Sequence, residues 1–211
     1  MNITQQINNI GVVPVIALSD TEKAVPLAKA LAAGGIPVAE ITFRTAQGEE
    51  CIRRVARELP EIILGAGTVL TMEQVDRALD AGAQFIVSPG FNPNVVKHCI
   101  AKNVPVFPGC ITPTEMEVAM ELGLATVKFF PAEQAGGLDF IKAVAAPYPN
   151  LHFMPTGGIG PTNLGDYAAF GKIVACGGSW MASKQLVDAG DFAQITSLSR
   201  EAVEIVQAAR T

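Results

Sequence analysis

The chain has 211 residues, of which 49% are hydrophobic and 17% charged, and its formal net charge is −5. No apolar run reaches the roughly 18 to 20 residues that cross a bilayer, and the start, MNITQQINNIG, lacks the regions of a signal peptide, so we expect a cytoplasmic protein without a membrane partner. Arg53, Arg54 and Arg57 form the one basic cluster, which indicates the solvated face of a helix and argues against a nucleic-acid surface.

Eight short apolar runs recur along the chain, each followed by a helical pattern. In chain order they are residues 12–18, 38–43, 62–68, 85–90, 104–109, 126–131, 152–158 and 172–178. The helical patterns include residues 21–35, a segment from the N-cap candidate Thr71 to Gly82, and a long final pattern over 191–210. Eight such units in about 200 residues predict a single (β/α)8 TIM barrel of parallel strands over residues 1–211.

An open, doubly wound parallel sheet is the alternative fold. Such a sheet carries a glycine-rich dinucleotide fingerprint after its first strand, and this chain has none there. GAGT (65–68) supplies two of the three glycines, but Leu70 occupies the third position. We therefore favour the closed barrel.

The cysteines and histidines predict neither a disulfide framework nor a metal site. No pair of cysteines has CxxC spacing, and imidazole is available only from His98 and His152. We expect the four cysteines to be reduced and buried as small apolar residues: Cys51, Cys99, Cys110 and Cys176.

Lys128 stands between Val127 and Phe129 in the sixth run, and a lysine is rarely buried without a partner. Side chains alternate along a barrel strand, so Lys128 takes the opposite face from its two neighbours. An outward Lys128 would lie under the helices without water, whereas the lumen opens at the face where barrel enzymes bind substrate. We interpret Lys128 as a functional amine, with a structural ion pair as the alternative.

The second run offers a carboxylate to face this lysine. Glu40 shares one face of its strand with Thr42 and Arg44, and strands two and six lie across a barrel from each other. Apolar neighbours such as Phe130 disfavour the charged form of Lys128, whereas a facing Glu40 favours it. A neutral amine can form a Schiff base with a ketone, although an ion pair alone would look the same in the sequence.

Two glycine pairs end the seventh and eighth runs, in TGGIGPTN (156–163) and CGGSW (176–180). Each alone is typical of a tight turn. Together they predict a phosphate site, because glycine lets backbone N–H groups approach an anion and this end of the barrel is where phosphate binds. Arg44 and Thr68 end neighbouring strands and could grip a carboxylate, with a surface salt bridge as the alternative for Arg44.

These residues resemble the bacterial 2-keto-3-deoxy-6-phosphogluconate (KDPG) aldolases, also called 4-hydroxy-2-oxoglutarate (KHG) aldolases. The resemblance covers essentially the whole chain through VVPVIAL, AEITFRT, GAGTVL, SPG, VKFFPAE, PTGGI and CGGSW. It implies a homotrimeric lyase of the Entner–Doudoroff pathway that needs no metal or other cofactor. The implied reaction cleaves KDPG, a phosphorylated 2-keto acid, to pyruvate and D-glyceraldehyde 3-phosphate, and KHG to pyruvate and glyoxylate.

The resemblance also assigns roles to matching positions. The catalytic residues would be Lys128, which forms the Schiff base, and Glu40, which transfers protons. The substrate-binding residues would be Arg44 and Thr68 at the carboxylate, with Pro89, Phe130 and Thr156 lining the pocket. The phosphate-binding residues would be Gly157, Gly158, Gly178 and Ser179. GCITPTE (109–115), with Cys110, receives no role.

Other functions stay open at this point. The galactonate epimer of the substrate would define a 2-dehydro-3-deoxy-6-phosphogalactonate aldolase. A phosphate-binding barrel epimerase or isomerase would need acid and base pairs, and often a metal, but no nucleophilic amine. A barrel that only binds phosphorylated metabolites would release no pyruvate.

Overall fold

A computed structural model describes all 211 residues and alternates strands with helices along the chain. The strands are β1 (Val12–Ile16), β2 (Val38–Thr42), β3 (Ile63–Gly67), β4 (Phe85–Val87), β5 (Val106–Phe107), β6 (Thr126–Phe129), β7 (His152–Pro155) and β8 (Cys176–Gly178). The α-helices are α1 (Ile3–Ile10), α2 (Ala24–Ala33), α3 (Gly48–Glu58), α4 (Met72–Asp80), α5 (Pro93–Ala101), α6 (Pro113–Glu121), α7 (Gly137–Ala145), α8 (Leu164–Ala169), α9 (Lys184–Ala189) and α10 (Phe192–Arg210). Each of the eight apolar runs contains one strand, which confirms those predictions, although every strand is shorter than its run.

The strands pair in parallel in two sheets. Six of them form a curled sheet in the order β5-β4-β3-β2-β1-β8, and β6 pairs with β7. Isolated parallel bridges link Gly109 to Lys128, Phe153 to Ile173 and Thr156 to Gly177. The regular ladder is therefore a half-barrel of six strands beside a two-stranded sheet, not the continuous eight-stranded ladder that the sequence predicted.

Proline explains why the ladder thins between β5 and β6. Pro105 and Pro108 flank the two-residue strand β5, and proline has no N–H to donate to a neighbouring strand. The contact that remains there uses other donors: the Lys128 N–H donates to the Pro108 carbonyl, and the Cys110 N–H donates to the Lys128 carbonyl, each at 2.9 Å.

The helices begin where side chains satisfy their first N–H groups. Thr71 caps α4 as predicted, accepting from the Gln74 N–H at 3.2 Å, and Gly82 follows that helix with φ +104°. Helix α10 matches the predicted final helix. Helix α1 was not predicted, although Asn2 and Gln5 form a reciprocal capping box at its start.

The core lies between the sheets and the helices as one cluster of 61 buried hydrophobic residues. It includes the four cysteines, all buried and unpaired as predicted. The predicted arginine face is confirmed on α3, where Arg53, Arg54 and Arg57 form ion pairs with nearby glutamates. None of the helices combines the length and apolar character that a membrane crossing requires.

Candidate active site

Lys128 of β6 and Glu40 of β2 face each other in the interior between the two sheets, as strand parity predicted. Their neighbour Phe129 points outward, where its ring stacks on Phe140 of α7 with centroids 5.7 Å apart. Lys128 is 5% exposed and Glu40 is 1% exposed. The distance from Lys128 Nζ to Glu40 Oε1 is 3.6 Å, so the two form a buried ion pair without a short hydrogen bond.

The polar atoms in and near this pair are not engaged in hydrogen bonds within the protein. Neither carboxylate oxygen of Glu40 has a hydrogen-bond partner, and the same holds for the buried Thr156 Oγ1. Lys128 Nζ lies 5.3 Å from the centroid of the Phe130 ring, within the range of a cation–π contact. A buried amine beside an unpartnered carboxylate is suited to nucleophilic attack coupled to proton transfer.

A cavity of about 170 Å³ opens beside the pair at the C-terminal ends of the strands. Lys128 and Glu40 lie outside its lining, and Phe130, whose ring Lys128 approaches, connects the pair to it. Thr156 also lines the cavity. Arg44 reaches the cavity from the end of β2. The remaining wall includes all four residues that were predicted to receive phosphate: Gly157, Gly158, Gly178 and Ser179.

Free backbone donors concentrate in this wall. The N–H groups of Gly157, Gly158, Ile159 and Ser179 donate to no acceptor in the protein. Gly157 and Gly158 have φ of +103° and +77°, which side-chain-bearing residues rarely adopt. Consecutive N–H groups in such a turn form a concave site for an anion.

Arg44 is held by one hydrogen bond and has no acidic partner. Its Nε donates to Thr42 Oγ1 at 3.2 Å, and that hydroxyl donates in turn to the Ile16 carbonyl at 3.0 Å. Arg44 forms no ion pair with an aspartate or glutamate, so the alternative of a surface salt bridge is wrong. Its guanidinium remains available to an anion in the cavity.

Two of the predicted substrate-binding residues lie outside the lining of this cavity. Thr68 follows β3 on the same rim as Arg44, because the ladder pairs Thr42 with Gly67. It has φ +57°, an unusual conformation for a β-branched residue. Pro89 follows β4, and its carbonyl lies so close to Gly109 that a Cβ there would be 2.0 Å from the oxygen.

The structure adds residues that sequence reasoning missed. Val15, Ile159 and Gly177 also line the cavity. Gly67 lies against the carboxylate of Glu40, since a Cβ at that position would be 2.2 Å from Oε1. Val15 could have been found from the strand register, because it pairs with Glu40. Ile159 could not, because it contributes a backbone N–H, which residues of any type except proline have.

Two other features offer no comparable chemistry. A larger hollow of about 570 Å³ lies on the outside, where Glu133, Asp139 and Asp166 make it unsuited to an anionic substrate. Burial raises the pKa of the Cys110 thiol to about 12, so it stays protonated and inert.

No group of three or more histidine, cysteine, aspartate or glutamate side chains is arranged to hold a metal ion.

Known proteins resemble this chain over nearly its full length. A family model described as KDPG and KHG aldolase matches residues 3–198. The 2-dehydro-3-deoxy-phosphogluconate aldolase of Treponema pallidum is 50% identical over 206 residues, 98% of each chain.

Two crystal structures extend the likeness to three dimensions. A KDPG aldolase from Legionella pneumophila, with pyruvate captured as a covalent carbinolamine, has a TM-score of 0.91 and 33% identity over 94% of this chain and 97% of its own. A 2-keto-3-deoxy-6-phosphogluconate aldolase of Zymomonas mobilis with 3-phosphoglycerate has a TM-score of 0.88 and 38% identity over 95% of both chains.

Proposed function

This chain belongs to the KDPG and KHG aldolase family, and from that membership we propose how its own residues carry out the family's reaction. The protein is a carbon–carbon lyase that cleaves 2-dehydro-3-deoxy-6-phosphogluconate to pyruvate and D-glyceraldehyde 3-phosphate through a Schiff base. The observation that carries the assignment to this site is the buried Lys128–Glu40 ion pair, in which neither carboxylate oxygen has a hydrogen-bond partner.

Lys128 is the nucleophile in this proposal. The ammonium of the ion pair first passes a proton to Glu40, and the neutral amine attacks the C2 ketone to give a carbinolamine. Glu40 returns that proton to the carbinolamine hydroxyl, which leaves as water and gives an iminium ion. Glu40 takes the proton of the C4 hydroxyl as the C3–C4 bond breaks, and the bonding electrons move into the iminium to form an enamine. The aldehyde leaves, Glu40 returns a proton to C3, and hydrolysis releases pyruvate and the free Lys128 amine.

The two ends of the substrate bind in different parts of the site. Arg44 and Thr68 hold the carboxylate next to C2, and the unusual φ of Thr68 supports this role because strained residues cluster at binding sites. Pro89, Phe130 and Thr156 line the space around the reacting carbons. The phosphate binds to the free N–H groups around Gly157, Gly158, Gly178 and Ser179, where the two glycine loops meet.

The same family membership supports four broader proposals. We propose that the strands close into one (β/α)8 barrel domain over residues 1–211, which the isolated bridges at both seams and the single hydrophobic cluster support. The protein cleaves unphosphorylated KHG as well, forms a homotrimer and acts in the cytoplasm. Sedimentation of the purified protein tests the trimer, for which a monomer would be the contrary result.

The test of the catalytic assignment is covalent trapping. Borohydride added with pyruvate reduces a Schiff base to a stable amine, and peptide mass spectrometry should find the adduct on Lys128. Lys128→Arg, which keeps the charge but cannot form the imine, should show neither the adduct nor pyruvate release in a coupled lactate dehydrogenase assay. An adduct on another lysine, such as Lys142 or Lys172, would overturn the assignment.

A further inference from the structure

The side chain of Asn163 clamps the loop between β7 and α8. Its Oδ1 accepts from the Gly160 N–H at 2.9 Å, and its Nδ2 donates to the Gly158 carbonyl at 3.1 Å. Asparagine immediately before a helix usually caps that helix with its side chain. Asn163 precedes α8 but makes no such bond, so its amide serves the loop rather than the helix.

This clamp sets the direction of the donors in the loop. The carbonyl and the N–H of a trans peptide point to opposite sides. Because Asn163 binds the Gly158 carbonyl, the Ile159 N–H of the same peptide is turned away from Asn163, and it donates to no protein acceptor. Gly157 and Gly158 are free to adopt many conformations, so a contact that fixes one of them has a large effect on where these N–H groups point.

We propose that Asn163 is a positioning residue for phosphate recognition. It holds the loop so that the N–H groups from Gly157 to Ile159 converge on the phosphate, without touching the substrate itself. The inference rests on the proposed function, because it takes the cavity to be the phosphate site. The keto-acid end of the substrate binds at Lys128 and Glu40. Asn163 therefore affects the binding of phosphorylated substrates and not the bond-making and bond-breaking steps.

The test compares three activities in Asn163→Ala. The KM for KDPG should rise about tenfold with little change in kcat, the size of effect expected for the loss of one well-formed interaction. The kcat/KM for unphosphorylated KHG and the rate of borohydride trapping with pyruvate should stay at the native values. Asn2→Ala is the matched control, because it removes an asparagine clamp at the start of α1, far from the site, and should change none of the three.

Other outcomes overturn the proposal. Equal losses with both substrates, or slower trapping with pyruvate, would show that Asn163 supports the whole barrel, and an unchanged KM for KDPG would show that the clamp is irrelevant. If Asn163→Ala does not fold, Asn163→Asp keeps the acceptor for the Gly160 N–H, loses the donor to Gly158 and carries the same prediction. Failure of both variants to fold also counts against it. Failure of the proposed function is seen separately, as a native protein that neither cleaves KDPG nor traps pyruvate.

Discussion

Gly67 is the residue on which the position of Glu40 depends most directly. A Cβ at Gly67 would lie 2.2 Å from Glu40 Oε1 and 2.7 Å from its Cγ, distances that real atoms do not adopt. Any side chain there must push the carboxylate away from its present place opposite Lys128. The absence of a side chain at Gly67 therefore belongs to the proposed active site.

We expect Gly67→Ala to lower kcat by about a hundredfold or more, the contribution typical of a positioned acid or base. Trapping of pyruvate on Lys128 should persist, because the amine is not displaced. Steady-state kinetics with mass spectrometry of the trapped protein measure both. Gly171→Ala is the control, since a Cβ there meets nothing within 4 Å, and an equal kcat loss in that variant would contradict the argument.

The Lys128–Glu40 pair should cost the protein stability. Two charges are buried, and neither oxygen of the carboxylate is hydrogen-bonded, so their mutual attraction offsets only part of the desolvation. Lys128→Met leaves Glu40 unpaired and should lower the free energy of unfolding by roughly 3–5 kcal/mol. The double variant Lys128→Met/Glu40→Leu should recover that loss and exceed the native value by roughly 1–4 kcal/mol.

Urea denaturation of the three proteins measures these differences. A double variant less stable than the native protein would show that the pair is stabilising after all. Both variants should be inactive, so the double variant would be more stable than the native protein although it has lost the proposed catalytic residues.

At the scale of single elements, the segment GCITPTE gains a structural explanation. Glu115 Oε2 accepts from the N–H groups of Ile111 and Thr112 at 2.9 and 2.8 Å, and from the Thr112 hydroxyl at 2.9 Å. Thr112 Oγ1 also receives the Glu115 N–H, which completes a capping box at the start of α6. The segment holds the first turn of a helix and buries Cys110, and it needs no catalytic role.

The cap of α6 predicts a pH dependence. Burial raises the pKa of Glu115, but the hydrogen bonds from Thr112 and Ile111 outweigh it and hold that pKa below the ordinary 4.5. A carboxyl whose pKa is lower in the folded state stabilises the protein above its unfolded pKa, and the stabilisation is lost as the pH falls through the folded value. Native protein should therefore be more stable than Glu115→Gln at pH 7, and this advantage should shrink as the pH drops below 4.5.

Urea titrations across that pH range test this, with Thr112→Ala as a second variant that should cost about 1 kcal/mol at pH 7. Glu121→Gln, on the exposed end of the same helix, is the control. A gap between native protein and Glu115→Gln that stays constant with pH would show that the carboxylate charge does not contribute.

The sequence predicted those features that follow from local rules. The alternation of side chains along β2 and β6 was enough to place Glu40 and Lys128 face to face, and glycine pairs at two strand ends marked the loops that form the cavity. What could not be predicted depends on backbone conformation. Thr68 turns to φ +57° after β3, and the free N–H of Ile159 belongs to a peptide whose direction no residue type encodes.

The sparse pairing of β5 with β6 and of β7 with β8 could not be predicted by counting apolar runs either. Pro105 and Pro108 were visible in the fifth run, but eight apolar runs say nothing about how many ladder bonds each strand can make. Only two residues of that run extend as β5, and an isolated bridge from Gly109 joins it to β6. The spacing of the apolar runs encodes the number of strands, whereas the pairing of the last strands depends on which backbone N–H groups are available to bond between them.

At the scale of the whole molecule, the last helix ties the two ends of the chain to the N-terminal ends of the strands. Arg210, at the end of α10, donates to the Asn8 carbonyl near the end of α1. It also donates to the carbonyls of Ile173 and Val174, at 3.2 and 3.0 Å, in the segment that leads into β8. The absence of a side chain at Gly11 allows α10 to pack this closely, because a Cβ there would lie 2.5 Å from Val206 of α10. One guanidinium thus joins both terminal helices to the last strand.

Arg210→Met keeps the aliphatic stem but removes all three hydrogen bonds, and we expect it to lower the free energy of unfolding by roughly 2–3 kcal/mol. Arg200→Met, on the exposed face of the same helix, should stay within about 0.5 kcal/mol of the native protein. Aldolase activity of both variants should be unchanged at 25 °C, since Arg210 binds the segment before β8, whereas Gly178 and Ser179 lie at the C-terminal end of that strand. Equal stability of the two variants would show that the hydrogen bonds of Arg210 add no net stability. Lost activity in a stably folded Arg210→Met would mean that the two ends of the strands are coupled.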